Sequence, residues 1–440
     1  MFTRTLNRTL VPAAVAALTV VVVACGGSSG DSGDADVGKL DTSASALKCG
    51  MGNGKPATGA PIKVRALATA SGGIDFSSPP KSAAAFFKCA NANGGINGRP
   101  IDYAYEDDAL NQQKAAQIAA KFAADESVVA LAGDATFIGC GAANPVYKKA
   151  GLYSITGTGV PQSCFESSNI APVNAGPRIS TVATIQYLQG EGKADRVAQV
   201  SNKVPGVGDW SQAGAITYAQ KSEGGARVVK SILHDPASID ANSIVLAVKN
   251  SKPTSVILQD PAPVGAAILK AALAQGLSKK YAWTCLSSCY DASFPKQIGP
   301  QWEGFISNSE LQLVDAKTPD NILWRAVLQK YGTAQAPRDT FGQSGFLAAK
   351  ILTDTLLKMD PKDINRASVS KAIIGIKNYK SDILCAPWYY GQADAHNANH
   401  TTRMAVVKGG KYVELQGCTP VNDPALAPIL AREKSEGLVG

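Results

Sequence analysis

The stretch CANANGGINGRPIDYAYEDDALNQQKAAQIAAKF, residues 89–122, passes through a helix end, a turn, a strand and a second helix. Its first residues close a helix that begins near Pro79, with Ala83, Phe86, Phe87 and Ala90 on one face at helical spacing. Gly94-Gly95 stops that helix, since glycine takes the left-handed backbone of a cap. Asn97-Gly98-Arg99 makes a tight turn, residues 101–105 (IDYAY) read as a strand, and 111–124 as an alanine-rich helix.

The same alternation extends in both directions. Upstream, residues 62–69 (IKVRALAT) form a strand signal followed by the loop Ser71-Gly72-Gly73. Downstream come a short buried strand over 128–132 (VVALA), a helix from about 144, a strand over 152–155, a helix over 178–189 and a strand over 196–200. Repeated βα units of this length predict parallel sheets with helices on both faces.

The N-terminus has a different chemistry. Arg4 and Arg8 precede a run that is apolar from 10 to 24 apart from Pro12 and Thr19. Spanning a bilayer takes about 20 apolar residues, so this run fits an export signal over 1–24. Val22-Val23-Ala24-Cys25 resembles a bacterial lipobox, in which the cysteine thiol takes the lipid and becomes the new N-terminus. The alternative is an ordinary signal peptide with a stray cysteine. Residues 25–60 then read as a Gly-, Ser- and Asp-rich tether, able to reach about 30 Å as a flexible coil.

Nine cysteines are an odd count for an exported chain. Lipid on Cys25 leaves eight, which can pair in an oxidising compartment in about 105 ways. Short-range pairing is the simplest expectation: Cys49 with Cys89, Cys140 with Cys164, Cys285 with Cys289, and Cys385 with Cys418. Cys285-x3-Cys289 lacks the further ligands of a zinc site, and no metal or cofactor is expected. The net charge of +8 is spread evenly, without a basic run or interleaved aromatics, so a nucleic-acid partner has no electrostatic footprint.

Residues 89–122 resemble the first-lobe signature of type I periplasmic binding proteins, specifically the leucine/isoleucine/valine-binding family. Further segments follow in family order: VVALAG (128–133), GLYSITGTG (151–159), YLQGEGKADRVAQV (187–200) and ILKAALAQGL (268–277). The resemblance implies an α/β fold of two doubly wound, Rossmann-like lobes joined by a three-stranded hinge, a Venus flytrap. Lobe one would comprise 61–176 and 310–384, and lobe two 177–309 and 385–440. It also implies a monomer that captures a small carboxylate-bearing solute and delivers it to an ABC permease, held to the outer face of the cytoplasmic membrane through Cys25.

Ligand binds such sheets at the carboxyl ends of the strands, where helix N-termini favour an anion. By resemblance, the loop carrying Thr136, Phe137 and Ile138 and the loop carrying Thr156, Thr158 and Gly159 would grip a carboxylate. The bland alternative is that the threonines only cap and turn. Phe76 and Phe341 fall where the family places apolar walls, with core packing as the alternative.

Lobe two departs from the family pattern. Val207 stands where an aromatic residue is usual, with Trp210 shortly after. The stretch 284–289 (TCLSSC) has no acid to meet a ligand ammonium before Asp291. A buried ammonium without a partner is costly. Amine-free aromatic or aliphatic acids and small amides therefore compete with branched-chain amino acids, unless Asp75 or Asp260 supplies the charge. Trp210, Gln259, Asp260 and Ser287 are the candidate lobe-two contacts.

An enzyme reading finds little support. Gly342-Gln-Ser344-Gly345-Phe346 misses the Gly-x-Ser-x-Gly elbow by one residue. Of the three histidines, His234 reads as solvated, and His396 and His400 lie in an Asn-rich loop. A ligand-presenting sensor of the same fold is the other alternative.

Overall fold

Gly94 and Gly95 take φ of 94° and 56°, and the Gly95 N–H closes the helix end by donating to the Ala90 carbonyl at 2.8 Å. A Cβ on Gly95 would lie 2.2 Å from the Arg99 carbonyl oxygen, so only glycine lets the chain fold back into the next strand. The computed structural model describes Met1 and residues 40–43, 47–333 and 336–439. The folded body is Leu40–Gly440. The expected signal peptide, Cys25 and half of the expected tether lie outside the described residues.

The first sheet is parallel, in the order β2-β1-β3-β4-β5. Its strands are β1 (Ile62–Ala68), β2 (Ile101–Asp107), β3 (Val128–Ala132), β4 (Ser154–Thr156) and β5 (Ile170–Pro172). Between them run α1 (Ser78–Ala92), α2 (Gln112–Ala124), α3 (Cys140–Ala150) and the single turn α4 (Gln162–Phe165). β1 pairs with β2 from Ile62↔Ile101 to Ala68↔Asp107.

The chain then crosses to a second sheet through α5 (Pro177–Gly190). Here β6 (Val197–Asn202), α6 (Gly208–Lys221), β7 (Val228–His234), α7 (Ala241–Ser251), β8 (Ser255–Gln259), α8 (Ala262–Ala274), β9 (Ala282–Cys285), α9 (Phe294–Ile298) and β10 (Ile306–Ser309) follow in turn. A return crossing brings α10 (Pro319–Tyr331), α11 (Thr340–Leu356) and α12 (Arg366–Ile374) back to the first sheet, where α11 packs on α1. A third crossing delivers the antiparallel hairpin β11 (Thr401–Lys408) and β12 (Lys411–Pro420), then α13 (Ala427–Ser435). The second sheet runs β12-β11-β10-β9-β8-β6-β7, among the described residues.

The central strands β3 and β8 bury both faces, and strand alternation divides the cores. Ala130 and Ala132 face the side of Phe86 and Phe346, while Leu131 between them faces Ile118, Phe122 and Tyr147. In the second sheet Val256 and Leu258 pack with Leu269 and Phe294, and Ile257 packs with Ile179 and Val182. Helix α11 approaches α1 so closely that a Cβ on Gly345 would lie 2.0 Å from the Pro79 carbonyl oxygen. The residues that resembled a broken hydrolase elbow thus serve helix packing.

Helix α3 begins at Cys140, a turn earlier than the sequence suggested. The Thr136 hydroxyl accepts the Gly139 N–H (2.8 Å), and Pro145 is accommodated inside the helix. Four disulfides close: Cys49–Cys89, Cys140–Cys164, Cys285–Cys289 and Cys385–Cys418. The first ties the end of the tether to α1.

Candidate functional site

The site grows from the loops at the carboxyl ends of the strands. After β1, Asp75 caps its own loop by accepting the Ser77 N–H (3.0 Å) and hydroxyl (2.5 Å), and the Phe76 N–H donates to the Thr69 carbonyl (2.8 Å). After β3, Asp134 is buried. It accepts the Leu67 N–H (2.7 Å) and the Ser154 hydroxyl (2.7 Å), and burial pushes its carboxyl up to about 6. The Phe137 N–H of the same loop donates to the Thr69 hydroxyl (3.0 Å). After β4, the Thr158 hydroxyl meets the Ser344 hydroxyl at 2.7 Å, and the Gly159 N–H donates to Asn174 Oδ1 at 2.7 Å.

These anchors bring three phenylalanines from distant parts of the chain together. The Phe76 ring lies 5.0 Å from Phe137, edge to face, and 4.6 Å from Phe341. Val160 from the first lobe and Val204 and Val207 from the second pack against the cluster. Val207 therefore takes the place of the missing aromatic by closing an apolar seam rather than by stacking.

Opposite lies a polar floor. The Ser287 and Ser180 hydroxyls both donate to Glu310 Oε1 (2.5 and 2.6 Å). The Ala175 and Gly176 N–H groups donate to Oε2 (2.8 and 3.1 Å) at the start of α5. Four donors thus hold a carboxylate that is 2% exposed. Asn202 Nδ2 donates to Gln259 Oε1 at 3.1 Å, fixing the amide and leaving Gln259 Nε2 as a donor at the wall. Ser288 Oγ is buried and has no partner among the described residues. Asp339 caps α11 by accepting the Gly342 N–H (2.6 Å) and the Ser78 hydroxyl (2.6 Å), and burial pushes it up to about 6.

Wall and floor enclose a cavity of about 480 Å³ between the two sheets, within the range of small-molecule sites. The lobes are bonded to one another by the Gln162 N–H on the Gly206 carbonyl (2.8 Å) and the Ala292 N–H on the Arg338 carbonyl (3.1 Å).

Asp75, Phe76, Phe137, Thr158, Gly159, Gln259, Ser287 and Phe341 line this cavity. Five other candidates stand elsewhere. The Thr136 hydroxyl turns inward to Asp108 Oδ2 (2.5 Å) and caps α3. Ile138 packs against the back of the phenylalanine cluster. Thr156 points into the first lobe, 2.7 Å from the Ser154 hydroxyl. Trp210 stacks on Phe165 with centroids 5.2 Å apart and borders a different cavity. Asp260 turns away from the cavity to His234 Nε2, 3.0 Å distant, so neither it nor a solvated His234 is as the sequence suggested. His396 and His400 are tucked into their loop, each with Nδ1 against a backbone carbonyl, Ala393 (2.9 Å) and Asn397 (3.3 Å) respectively.

Sequence reasoning missed Ser288, Asn174, Asn202, Lys81, Asp339 and Glu310. Glu310 left one signal, an acid directly after the buried strand ISNS at a crossing between lobes. The others are polar residues in loops, indistinguishable in sequence from solvated ones.

A family model described as periplasmic binding protein matches residues 61–411. Among solved structures, a fatty acid ABC transporter substrate-binding protein from Thermomonospora curvata is 19% identical, with a TM-score of 0.72 over 87% of this chain and 97% of that one. A solute-binding protein from R. palustris in complex with 4-hydroxybenzoate is 20% identical, with a TM-score of 0.69 over 84% of this chain and 100% of that one. A branched-chain amino acid ABC transporter protein from Thermus thermophilus with bound valine is 16% identical, with a TM-score of 0.71 over 83% of this chain and 98% of that one. At these identities the likeness is one of fold. No curated protein matches the chain. The family match spans every loop of the cavity and every strand of both sheets except β12, and the chain belongs to the periplasmic binding proteins.

Proposed function

We propose that this chain captures a small solute with an apolar body and a carboxylate head between its lobes and delivers it to an ABC importer. The observation that carries the reading is the contrast between the two walls. Three phenylalanines offer an apolar face, while the buried floor acid, Glu310, already has both oxygens filled by the chain's own donors. Asp260 is committed to His234, and the remaining floor acid, Asp339, takes both of its donors on Oδ1 and is pushed towards its neutral form by burial, which makes it a poor partner for an ammonium. Ser288 Oγ, Gln259 Nε2 and the Lys81 ammonium are the donors a carboxylate can use. The solved relatives named for fatty acid transport or bound to 4-hydroxybenzoate carry cargo of this type.

A branched-chain amino acid is the second reading, favoured by Asp75 and Asp291 in the lining. In both, Cys25 carries the lipid, and the protein works as a monomer at the outer face of the membrane within reach of its permease. No helix of the described residues is long and apolar enough to cross a membrane.

Thermal unfolding of the soluble mature chain separates the readings. A ligand at 100 times its dissociation constant adds about 2.7 kcal/mol. Stabilisation by benzoate, 4-hydroxybenzoate or medium-chain fatty acids, without stabilisation by leucine, isoleucine or valine, supports the first. The reverse pattern supports the second.

A further inference from the structure

A second cavity, of about 440 Å³, lies between α4, α6, the segment carrying Ala395 and Asn397, and α13. None of the residues of the main cavity's walls lines it. Like the main cavity, it takes residues from both lobes. Phe165 comes from the first lobe and Trp210 from the second, and their rings stack at 5.2 Å with a tilt of 36°. Ile179 and Ile429 extend the apolar part of the wall.

The polar part is richest in acceptors. Asn397 is 3% exposed, and its Nδ2 donates to the Ala175 carbonyl at 3.3 Å, which fixes the orientation of the amide. Its Oδ1 is buried and has no partner among the described residues. A buried carbonyl oxygen without a donor is destabilising, and a bound N–H group would offset that cost. Glu166 and Asp209 add two carboxylates to the rim, each with one oxygen taken, by the Gln162 amide (2.7 Å) and the Trp210 N–H (2.9 Å). The Arg178 guanidinium, which would otherwise attract an anion, is committed to Asp423 by two hydrogen bonds of 2.6 and 3.0 Å. His396 is held neutral by burial and adds no positive charge.

We propose that this cavity is a second ligand site, for a small organic ammonium with an apolar or aromatic body. The ring packs beside Trp210 and Phe165, the ammonium takes the rim carboxylates and an N–H reaches Asn397 Oδ1. Acceptors with a tryptophan face are the chemistry that holds such a cation. The Gln162 amide and the Arg178 guanidinium are engaged by Glu166 and Asp423, which leaves the Trp210 indole N–H as a neutral donor and makes this site opposite in charge preference to the main cavity. Because a ligand here touches both lobes, it stabilises the arrangement in which they are joined.

The test is calorimetric titration of the mature chain with phenethylammonium chloride. One-to-one binding is expected, weakened about tenfold or more by Trp210→Ala. Ala213→Trp, which fills the cavity from an exposed position on α6, is expected to abolish it without removing the stack. Phe137→Ala, in the main cavity, is expected to leave it unchanged, and 3-phenylpropionate is expected not to displace it. Absence of binding, binding that survives both Trp210→Ala and Ala213→Trp, displacement by 3-phenylpropionate, or loss on Phe137→Ala would each overturn the proposal.

Discussion

His234 Nε2 lies 3.0 Å from Asp260 Oδ2, and the two side chains are 9% and 0% exposed. The pair joins the ends of β7 and β8 directly behind Gln259, so it sets the lobe-two wall without touching the cavity. Asp260 Oδ1 has no partner among the described residues, which makes the carboxylate depend on the histidine. Replacing His234 by Ala should therefore leave a buried charge uncompensated and cost about 3–5 kcal/mol in urea unfolding. A loss below about 1 kcal/mol would show that water reaches Asp260.

Burial raises Asp134, Asp260 and Asp339 each to about 6 from the ordinary 3.8. A carboxyl with a raised folded value favours folding in its protonated form. That contribution is complete below pH 3.8 and is lost as pH rises through 6. Each group should cost about 1 kcal/mol between pH 5 and pH 8. Thermal unfolding across this range should show higher stability at pH 5, and Asp339→Asn should flatten the slope.

Two adjacent serines should behave differently. Ser287 donates to Glu310, so Ser287→Ala removes one of four donors from a buried carboxylate and should cost about 1–3 kcal/mol of stability. Ser288 Oγ has no partner among the described residues, so Ser288→Ala should leave the melting temperature unchanged and weaken solute binding by about 0.5–1.5 kcal/mol. Thermal unfolding and calorimetry on both variants read the two effects separately.

The lipid reading of Cys25 makes a cellular prediction. Cys25→Ser should release the protein into the medium, and fractionation should find the wild type with the membrane. Membrane retention of the variant would count against the anchor.

Most of the fold was legible because its signals are local. The turn at Gly94-Gly95, the Asn111 cap of α2 and the continuous apolar strand VVALA each specify their own element. The disulfides followed because their partners are close in sequence. The cavity lining was most legible where a residue lies in a strand-end loop and packs on its lobe, as Phe76, Phe137 and Thr158 do. Thr136, Thr156 and Asp260 also stand at strand ends, yet their side chains turn to Asp108, Ser154 and His234. That choice is made by tertiary hydrogen bonds to residues up to 28 positions away, which no local pattern records. Trp210 went astray for a related reason. It lies in the first turn of α6, and its ring packs on Phe165 instead of entering the cavity.

The central claim is that solute binds between the phenylalanine wall and the Glu310 floor. Calorimetric titration tests it most directly, using 4-hydroxybenzoate, octanoate and leucine on the wild type and on Ala262→Trp, which fills the cavity from the start of α8. The account predicts one-to-one binding of an amine-free acid by the wild type and none by the variant. Equal binding by the two proteins would place the solute elsewhere and contradict it.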